Sequence, residues 1–370
     1  MQSNRTIKLP TKKSMAKEHF KNFLSWLNWL IDLVLIRLRA ILGLKENIVF
    51  YSDQDYHLIH LAPVVKSLSL LRKARITIIC SQQFDTSQFP NIRCIVGSAY
   101  TWKKPLAINL LISSELIEVP KYLAGKSVYF GHGIGPKINH LYSEMLGGFD
   151  YVYCPCKYFY QKLSTDMPGL RLREIGLPVL DVKPKPEERK YLLYAPSWNI
   201  DETLISDYNS VLTLLSELEG HEVIVSLHPL LARDIARGKL PKLISFSDTP
   251  FMKMITDTDF SSSFEVLLES KLVIGDISSL LFEALAFDIP IVFDGNETVY
   301  VECKATDILY DLREATYPLT EICTDDLIRI AIQEDPRRAQ RSKLARRYLS
   351  NDGFASTVFC DEVCKLLDKT

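Results

Sequence analysis

The chain has 370 residues, of which 47% are hydrophobic and 24% are charged. A chain of this length is expected to form two domains of ordinary size or one large domain, and its composition excludes disordered and collagen-like proteins. Its 44 basic and 45 acidic residues leave a net charge of −1. A protein dedicated to nucleic acid normally carries a basic excess, so the balanced charge argues against that class.

The eight cysteines are scattered along the chain and predict no disulfide framework. Cys154 and Cys156 are separated by one residue, which is neither the spacing of a redox CxxC pair nor that of a zinc knuckle. The start of the chain is basic and polar and does not have the short apolar stretch of a secretory signal. We therefore expect reduced cysteines and a protein on the cytoplasmic side of the membrane.

Residues 1–46 carry the strongest charge asymmetry of the chain, with a basic prefix followed by an apolar run over residues 23–42. Asp32, Arg37 and Arg39 interrupt this run, and each charge would cost about 2.5–3.5 kcal/mol at the centre of a bilayer, which disfavours a membrane span. On a helix, the polar residues line one stripe, a pattern typical of an amphipathic helix lying in an anionic membrane interface. The alternative is a helix that packs on its own domain or on a second subunit. The predicted membrane-contact residues are Lys12, Lys13, Lys17, Trp26 and Trp29.

Residues 47–182 are predicted to form a first α/β domain. Short apolar runs alternate with helix-like stretches, and the predicted strands cover residues 48–52, 76–80, 91–96, 110–113, 127–130 and 151–154. Residues 56–71 are predicted to form the helix after the first strand. Strands separated by helices indicate a parallel sheet with helices on both faces.

A proline- and charge-rich segment at residues 183–190 predicts a linker between two domains. The alternation resumes in residues 191–345, with strands predicted at 191–194, 222–227, 243–246, 272–274 and 289–293. Residues 346–370 are predicted to form a C-terminal helix that packs back on the first domain. Two Rossmann-like, doubly wound domains would then face a central cleft, where open α/β sheets bind ligands.

The segment 130–137, FGHGIGPK, follows a predicted strand of the first domain. Its glycines allow tight turns and close approach to a ligand. His132 would face the cleft and could take a proton from a hydroxyl group, because a histidine titrates near pH ~6.5. Gly133 and Lys137 are candidates for contacts with an acceptor or a phosphate group. The alternative is a structural turn with a hydrogen-bonded histidine.

Three further motifs follow predicted strands of the second half. One strand runs into His228, which the proline after it holds out of helical geometry. Another ends in the turn YAPSW at residues 194–198, which contains Ser197. A third ends at residue 276 and leads to Ser278 and Ser279 at the start of a helix, where unpaired N–H groups favour a diphosphate. Helix capping alone is the alternative for the histidine and for the serine pair.

Four motifs in this order resemble the glycerophosphotransferases that act on CDP-glycerol in teichoic-acid and capsule synthesis. They are HG at residues 132–133, YAPSW at 194–198, HP at 228–229 and DISS at 276–279. The resemblance covers roughly residues 125–330. It implies a GT-B fold, peripheral attachment to the membrane as in many members, and no obligatory metal or other cofactor.

The resemblance also implies roles for individual residues. His132 would be the general base on the acceptor hydroxyl, and His228 would contact the donor diphosphate as the second catalytic histidine. Ser278 and Ser279 would bind the diphosphate, and Ser197 is a further candidate for that contact. Glu283 stands on the same helix, where nucleotide-sugar enzymes of this fold can hold a ribose.

The leading prediction is a membrane-associated bacterial transferase. It would move glycerol phosphate, or another polyol phosphate, from a CDP-activated donor to a hydroxyl of a lipid-linked or glycan acceptor and release CMP. The alternatives are a GT-B glycosyltransferase that uses a nucleotide-diphosphate sugar and a membrane-bound scaffold without turnover. The predicted partners are the donor, the acceptor and an anionic membrane surface, but no nucleic acid.

Overall fold

A computed structural model gives the fold of the chain. It describes residues 12–70, 74–97, 107–119, 123, 125–134, 143–182, 186–197, 203–218, 220–238, 251–255, 260–294, 306–319, 325–351 and 353–368.

The first sheet has seven strands within the described residues. They are β1 Glu46–Ser52, β2 Ala74–Cys80, β3 Arg93–Val96, β4 Leu110–Ser113, β5 Lys126–Tyr129, β6 Tyr151–Cys154 and β7 Leu172–Glu174. Their spatial order is β3-β2-β1-β4-β5-β6-β7, and adjacent strands are parallel. β1 is buried from its second residue to its last, as expected for a strand that is covered on both faces.

The second sheet repeats this arrangement with six described strands. They are β8 Tyr191–Ala195, β9 Val223–Ser226, β10 Met252–Ile255, β11 Ser270–Gly275, β12 Ile291–Phe293 and β13 Tyr317–Pro318. Their order is β10-β9-β8-β11-β12-β13, again with parallel neighbours. Both sheets therefore have the strand order of a doubly wound, Rossmann-like domain.

Helices cover the faces of the two sheets. The described helices are α1 Lys12–Ile41, α2 Leu58–Leu70, α3 Lys157–Asp166, α4 Thr203–Ser216, α5 Pro229–Ala236, α6 Phe260–Leu268, α7 Ser279–Ala286, α8 Thr306–Ala315, α9 Asp325–Arg329, α10 Arg338–Tyr348 and α11 Ala355–Leu367.

The last helix, α11, packs against the first sheet although it follows the second in the chain. The ring of Phe359 lies edge-on to Phe130, with centroids 4.8 Å apart, and 5.2 Å from Tyr153. The carboxylate of Asp181 accepts a hydrogen bond from the backbone N–H of Ala355 at 2.9 Å and so caps the start of α11. Helix α11 therefore packs against the end of β5, which leads into the glycine–histidine loop.

The predicted architecture of two parallel α/β sheets is confirmed. The sequence does not predict β7, β10 and β13, because all three lie at sheet edges and lack a continuous apolar run. The strand predicted at 243–246 and residues 183–185 of the predicted linker lie outside the described residues. The rest of that linker includes a short 3-10 helix over Pro186–Glu188.

Helix α1 faces the first domain with a polar residue. Asp32 is 2% exposed and accepts a hydrogen bond from the backbone N–H of Ala107 at 2.5 Å. Large apolar side chains of α1 are exposed: Phe20, Phe23, Leu24, Trp26, Leu30, Ile31, Val34, Leu35, Leu38 and Ile41. Trp29 is half-buried, and only the helical backbone is described for Lys12, Lys13 and Lys17. Within the described part of the chain, none of the helices combines the length and hydropathy needed to cross a bilayer.

Candidate active site

The strand order of each sheet reverses beside its first strand, between β1 and β4 in one domain and between β8 and β11 in the other. Loops at the carboxyl ends of strands that border such a switch point form ligand sites in doubly wound sheets. In the first domain these loops carry His57 and Glu115, and in the second they carry Ser197 and Asp276. The candidate site is therefore assembled from strand ends of both domains.

His132 lies in the loop after β5, between two glycines with positive φ angles, +76° at Gly131 and +147° at Gly133. Its Nδ1 lies 3.0 Å from the backbone carbonyl oxygen of Ser114. A carbonyl oxygen can only accept, so Nδ1 carries the hydrogen and the lone pair of the neutral ring is on Nε2. The structure thus holds His132 in a tautomer that suits a general base. Lys137, the candidate phosphate contact of the same segment, lies outside the described residues.

Two residues that the sequence analysis missed lie beside His132. The ring of His57 is stacked on that of His132, with centroids 3.7 Å apart and planes 8° from parallel. Nδ1 of His57 is hydrogen-bonded to Oε1 of Glu115, and Oε2 of the same carboxylate lies 3.9 Å from Nδ1 of His132. His57 and Glu115 follow the two strands that border the switch point. Polar residues directly after those strands are the sequence signal that could have found them.

His228, the predicted histidine of the second domain, is the N-cap of α5. Its Nδ1 accepts a hydrogen bond from the backbone N–H of Leu230 at 3.2 Å. Pro229 occupies the first helical position, for which its fixed φ angle is suited. Because Nδ1 is an acceptor, the hydrogen of the neutral ring is on Nε2. Nε2 of His228 is therefore a hydrogen-bond donor, the role that a contact with a phosphate oxygen requires.

The predicted serine pair lies at the N-terminus of α7. Ser278 is the N-cap, and its hydroxyl accepts a hydrogen bond from the backbone N–H of Leu280 at 3.4 Å. A Cβ atom placed on Gly133 would lie 3.3 Å from the Cβ and 3.6 Å from the Oγ of Ser279. The glycine–histidine loop of the first domain therefore meets the helix N-terminus of the second, where backbone N–H groups favour an anion.

Ser197 takes a different place from the one predicted. Its backbone N–H donates to both carboxylate oxygens of Asp276, at 3.0 and 3.2 Å, and its hydroxyl donates to Oδ2 at 2.9 Å. The hydroxyl of Tyr208 donates to the backbone carbonyl of Ser197. A buried carboxylate requires such donors. Ser197 and Asp276 thus tie the ends of β8 and β11 together, and the Ser197 hydroxyl is directed at Asp276 and not at a diphosphate.

Glu283 also departs from the prediction. The sequence predicts a ribose contact, but the side chain is completely buried in α7, which is buried continuously from Leu280 to Leu285. Neither carboxylate oxygen of Glu283 has a hydrogen-bond partner among the described residues. Burial raises the pKa of Glu283 to about 8. The structure therefore encloses this carboxyl group in the core of the second domain and does not present it to the cleft.

Tyr56 connects the two halves of the site. Its ring lies edge-on to His57, with centroids 4.3 Å apart, and edge-on to His228, with centroids 5.7 Å apart. Arg233 of α5 donates to Oδ1 of Asp55 at 2.7 Å, and its guanidinium lies 5.8 Å from the centre of the Tyr56 ring. These contacts hold the loop after β1 against the start of α5. The His57 and Tyr56 rings therefore connect His132 to His228 through successive ring contacts.

Two doubly wound domains that meet in this way, each contributing a histidine, define a GT-B-type enzyme. Structures of the wall teichoic acid polymerase TagF share this fold: one matches 95% of this chain and 98% of the TagF chain in that structure, with a TM-score of 0.66 and 16% identity. A TagF variant soaked with CDPG matches 93% of this chain and 98% of its own, with a TM-score of 0.66 and 15% identity. MnaA of S. aureus, in a structure with UDP, matches 88% of this chain and 98% of its own, with a TM-score of 0.58 and 14% identity.

The family is shown by the sequence of the second half. The model of the CDP-Glycerol:Poly(glycerophosphate) glycerophosphotransferase family matches residues 179–363, which is half of the chain. The chain belongs to this family and is a CDP-glycerol-type glycerophosphotransferase. The matched region contains His228, the serine pair at the start of α7, and α11 as far as residue 363. No curated protein matches the chain at the level of sequence.

Proposed function

We propose that the enzyme transfers glycerol phosphate from CDP-glycerol to a hydroxyl group of a lipid-linked or glycan acceptor, during assembly of a cell-surface polymer of the teichoic-acid or capsule type. Nε2 of His132 takes the proton of the acceptor hydroxyl while its oxygen attacks the β-phosphorus of the donor. A new O–P bond forms, the bond between that phosphorus and the bridging oxygen breaks, and CMP leaves with the bridging oxygen. Family membership supports the donor, and the shared fold with a wall teichoic acid polymerase supports the class of product.

The observation that carries the assignment of roles is the opposite tautomers of the two histidines. The carbonyl of Ser114 fixes the hydrogen of His132 on Nδ1, which leaves Nε2 as the basic nitrogen. The backbone N–H of Leu230 fixes the lone pair of His228 on Nδ1, which makes Nε2 a donor. One ring is therefore prepared to accept a proton and the other to donate a hydrogen bond to the diphosphate.

The N-terminus of α7 supports the donor half of the site. The hydroxyls of Ser278 and Ser279 and the backbone N–H groups of the first turn would bind oxygens of the diphosphate, together with His228. Gly133 packs against Ser279, so the general base and the phosphate site are brought close together. Transfer of a phosphoryl group depends mainly on such positioning and on stabilisation of charge, and these residues provide both.

Helix α1 supports attachment to a membrane surface. Its exposed side chains include Phe23, Trp26 and Leu30, whereas Asp32 is turned toward the first domain. An exposed apolar stripe of this length, next to a basic prefix, fits an interfacial helix on an anionic bilayer. Peripheral attachment at the cytoplasmic face would place the cleft beside a lipid-linked acceptor.

CMP release from CDP-glycerol, in the presence of lipid-linked and glycan acceptors, tests the reaction. We expect His132→Ala and His228→Ala to lower kcat/KM by about 10²–10⁴-fold, the usual range for a general base or a preorganised donor. The control is His221→Ala, because His221 contacts Lys271 outside the site. Turnover that survives both substitutions, or release of a nucleoside diphosphate from a sugar donor in place of CMP, would overturn the proposal.

Sedimentation with vesicles that contain phosphatidylglycerol tests the membrane claim. The double substitution of Trp26 and Leu30 by glutamate should abolish co-sedimentation of the full chain. Leu70→Glu is the control, because Leu70 is an equally apolar residue that is 75% exposed at the end of α2. Equal binding by the double variant, or by a chain without residues 1–45, would exclude the role given to α1.

A further inference from the structure

The carboxylate of Glu115 lies between two histidines in the first domain. It is hydrogen-bonded to Nδ1 of His57 through one oxygen, and its other oxygen lies 3.9 Å from Nδ1 of His132. The Glu115 side chain is 16% exposed, and the hydroxyl of Ser113 accepts a hydrogen bond from its backbone N–H at 3.1 Å. The carboxylate is therefore held in place by its own loop, close to the ring that the proposed reaction uses as a base.

The stacking of the two rings limits the charge that they can carry. Parallel imidazoles 3.7 Å apart repel each other when both are protonated, and a single carboxylate beside them can balance one positive charge. The hydrogen bond from Nδ1 of His57 keeps the carboxylate aligned with the pair. Positive charges on both rings at once would therefore destabilise the pair, whereas a charge on one ring lies next to the Glu115 carboxylate.

Among the described residues, the buried titratable groups beside this pair are neutral, and the carboxylates nearby have partners of their own. Burial, reinforced by His57 and His132, lowers the pKa of His60 well below its ordinary value, so His60 stays neutral. Burial, reinforced by Glu115, raises the pKa of Tyr56 and of Tyr129. Other described groups nearby are Cys80, whose pKa burial raises to about 11, Asp55, which is paired with Arg233, and Asp53, which is hydrogen-bonded to Tyr51 and Ser81.

We infer that Glu115 and His57 are positioning residues for His132: they fix the orientation of its ring and stabilise the imidazolium that forms when it takes the acceptor's proton. This inference rests on the proposed function, because it gives the base of that reaction its supporting groups. When the proton arrives on Nε2, the positive charge is delocalised onto the Nδ1 side, which faces Glu115. His57 stays neutral at that moment and shields the charge from water on one face of the ring.

A divalent metal ion is the other ligand that two histidines and a glutamate could hold, and their ligand atoms do lie within 4.8 Å of one another. The ring geometry argues against it. A zinc ion lies about 2.0–2.1 Å from a histidine nitrogen and close to the ring plane. The lone pairs of two parallel rings 3.7 Å apart lie in two separate planes, so one ion cannot lie close to both ring planes. Nδ1 of His132 also carries the hydrogen that it donates to Ser114.

The test compares Glu115→Gln with Glu118→Gln, an exposed glutamate of the same loop. Profiles of kcat against pH are recorded by CMP release from CDP-glycerol. Loss of the carboxylate should lower kcat by about 10–100-fold and leave the KM for CDP-glycerol within about twofold. The acid limb of the profile should move to lower pH by about one unit, because the base loses the negative charge that favoured its protonated form. Glu115→Asp keeps a carboxylate, so its acid limb should move less than that of Glu115→Gln.

A second measurement does not depend on turnover. NMR titration of histidine-labelled protein, with the His132 signal assigned from His132→Ala, should show the same fall in the pKa of His132 in Glu115→Gln. An unmoved acid limb together with an unmoved ring titration would overturn the inference. If a chelator inactivates the wild-type enzyme but has no further effect on Glu115→Gln, the inference is overturned in favour of a metal site. A wild-type enzyme that releases no CMP while the ring titration still shifts would refute the proposed function alone.

Discussion

Replacing Glu283 with glutamine should stabilise the protein by an amount that grows with pH. The carboxyl group is completely buried, neither oxygen has a partner among the described residues, and burial raises its pKa from 4.5 to about 8. Between these two values the folded protein keeps a proton that the unfolded chain releases. The contribution of this group to stability is therefore fully present below pH 4.5 and is lost as the pH rises toward 8.

The magnitude follows from the shift. One pKa unit corresponds to about 1.36 kcal/mol, so a shift of this size amounts to about 4–5 kcal/mol in full, of which about 3–4 kcal/mol is lost between pH 5 and pH 8. Glutamine has nearly the same shape and does not titrate. The difference in the free energy of unfolding between Glu283→Gln and the wild type should therefore increase by about 3–4 kcal/mol over this range.

Urea unfolding at several pH values between 5 and 8, followed by tryptophan fluorescence, measures this difference. Glu265→Gln is the matched control, because Glu265 is an exposed glutamate on α6 of the same domain. A difference between Glu283→Gln and the wild type that stays constant across the pH range would refute the reasoning. It would mean that the Glu283 carboxyl is ionised in the folded protein and therefore has access to water or to a partner.

Three further predictions concern the cleft and the second domain. His228→Asn keeps a capping acceptor for α5 and loses the Nε2 donor, so its thermal unfolding should be unchanged while kcat/KM falls by about 10²–10³-fold; a stable, fully active variant would contradict the role of the donor. Gly133→Ala should lower kcat/KM by about 10-fold or more, because φ is +147° and the new methyl group would press on Ser279. Gly147→Ala is the control: its methyl group would point into open space, so kcat/KM should not change. Arg341→Ala should destabilise the protein by about 3–5 kcal/mol in urea unfolding, because Asp335 loses its buried ion pair, whereas Asp288 keeps its pair with Arg338; a loss below about 1 kcal/mol would show that water replaces the guanidinium.

The elements of the fold that follow from local pattern could be predicted from sequence. β4 and β6 are short, largely apolar and almost completely buried, and they are predicted with the bounds that the structure shows. The edge strands β7, β10 and β13 are short and partly polar, so no periodicity distinguishes them from loops. His132 and His228 are marked in the sequence by the glycines and the proline beside them, whereas Glu115 follows its strand without such a turn signal.

The arrangement of the site was decided by contacts between distant parts of the chain. The carbonyl that sets the tautomer of His132 belongs to a residue 18 positions away, and the hydrogen bond of His57 to Glu115 joins residues 58 positions apart. The hydrogen bonds of Ser197 to Asp276 span 79 positions. They direct the Ser197 hydroxyl, which the sequence suggests as a phosphate contact, toward Asp276. None of these partners can be inferred from neighbouring residues.

The sequence by itself determined that this protein has two doubly wound domains, a histidine at a strand end in each, and a serine pair at a helix start. These features depend on alternation and on residues adjacent in the chain, which local physical chemistry dictates. The tertiary structure decided which of the polar residues at the strand ends line the cleft and which are enclosed. Glu283 is buried and Glu115 lies beside the proposed base because tertiary packing within each domain, and not local sequence, selects the surroundings of each side chain.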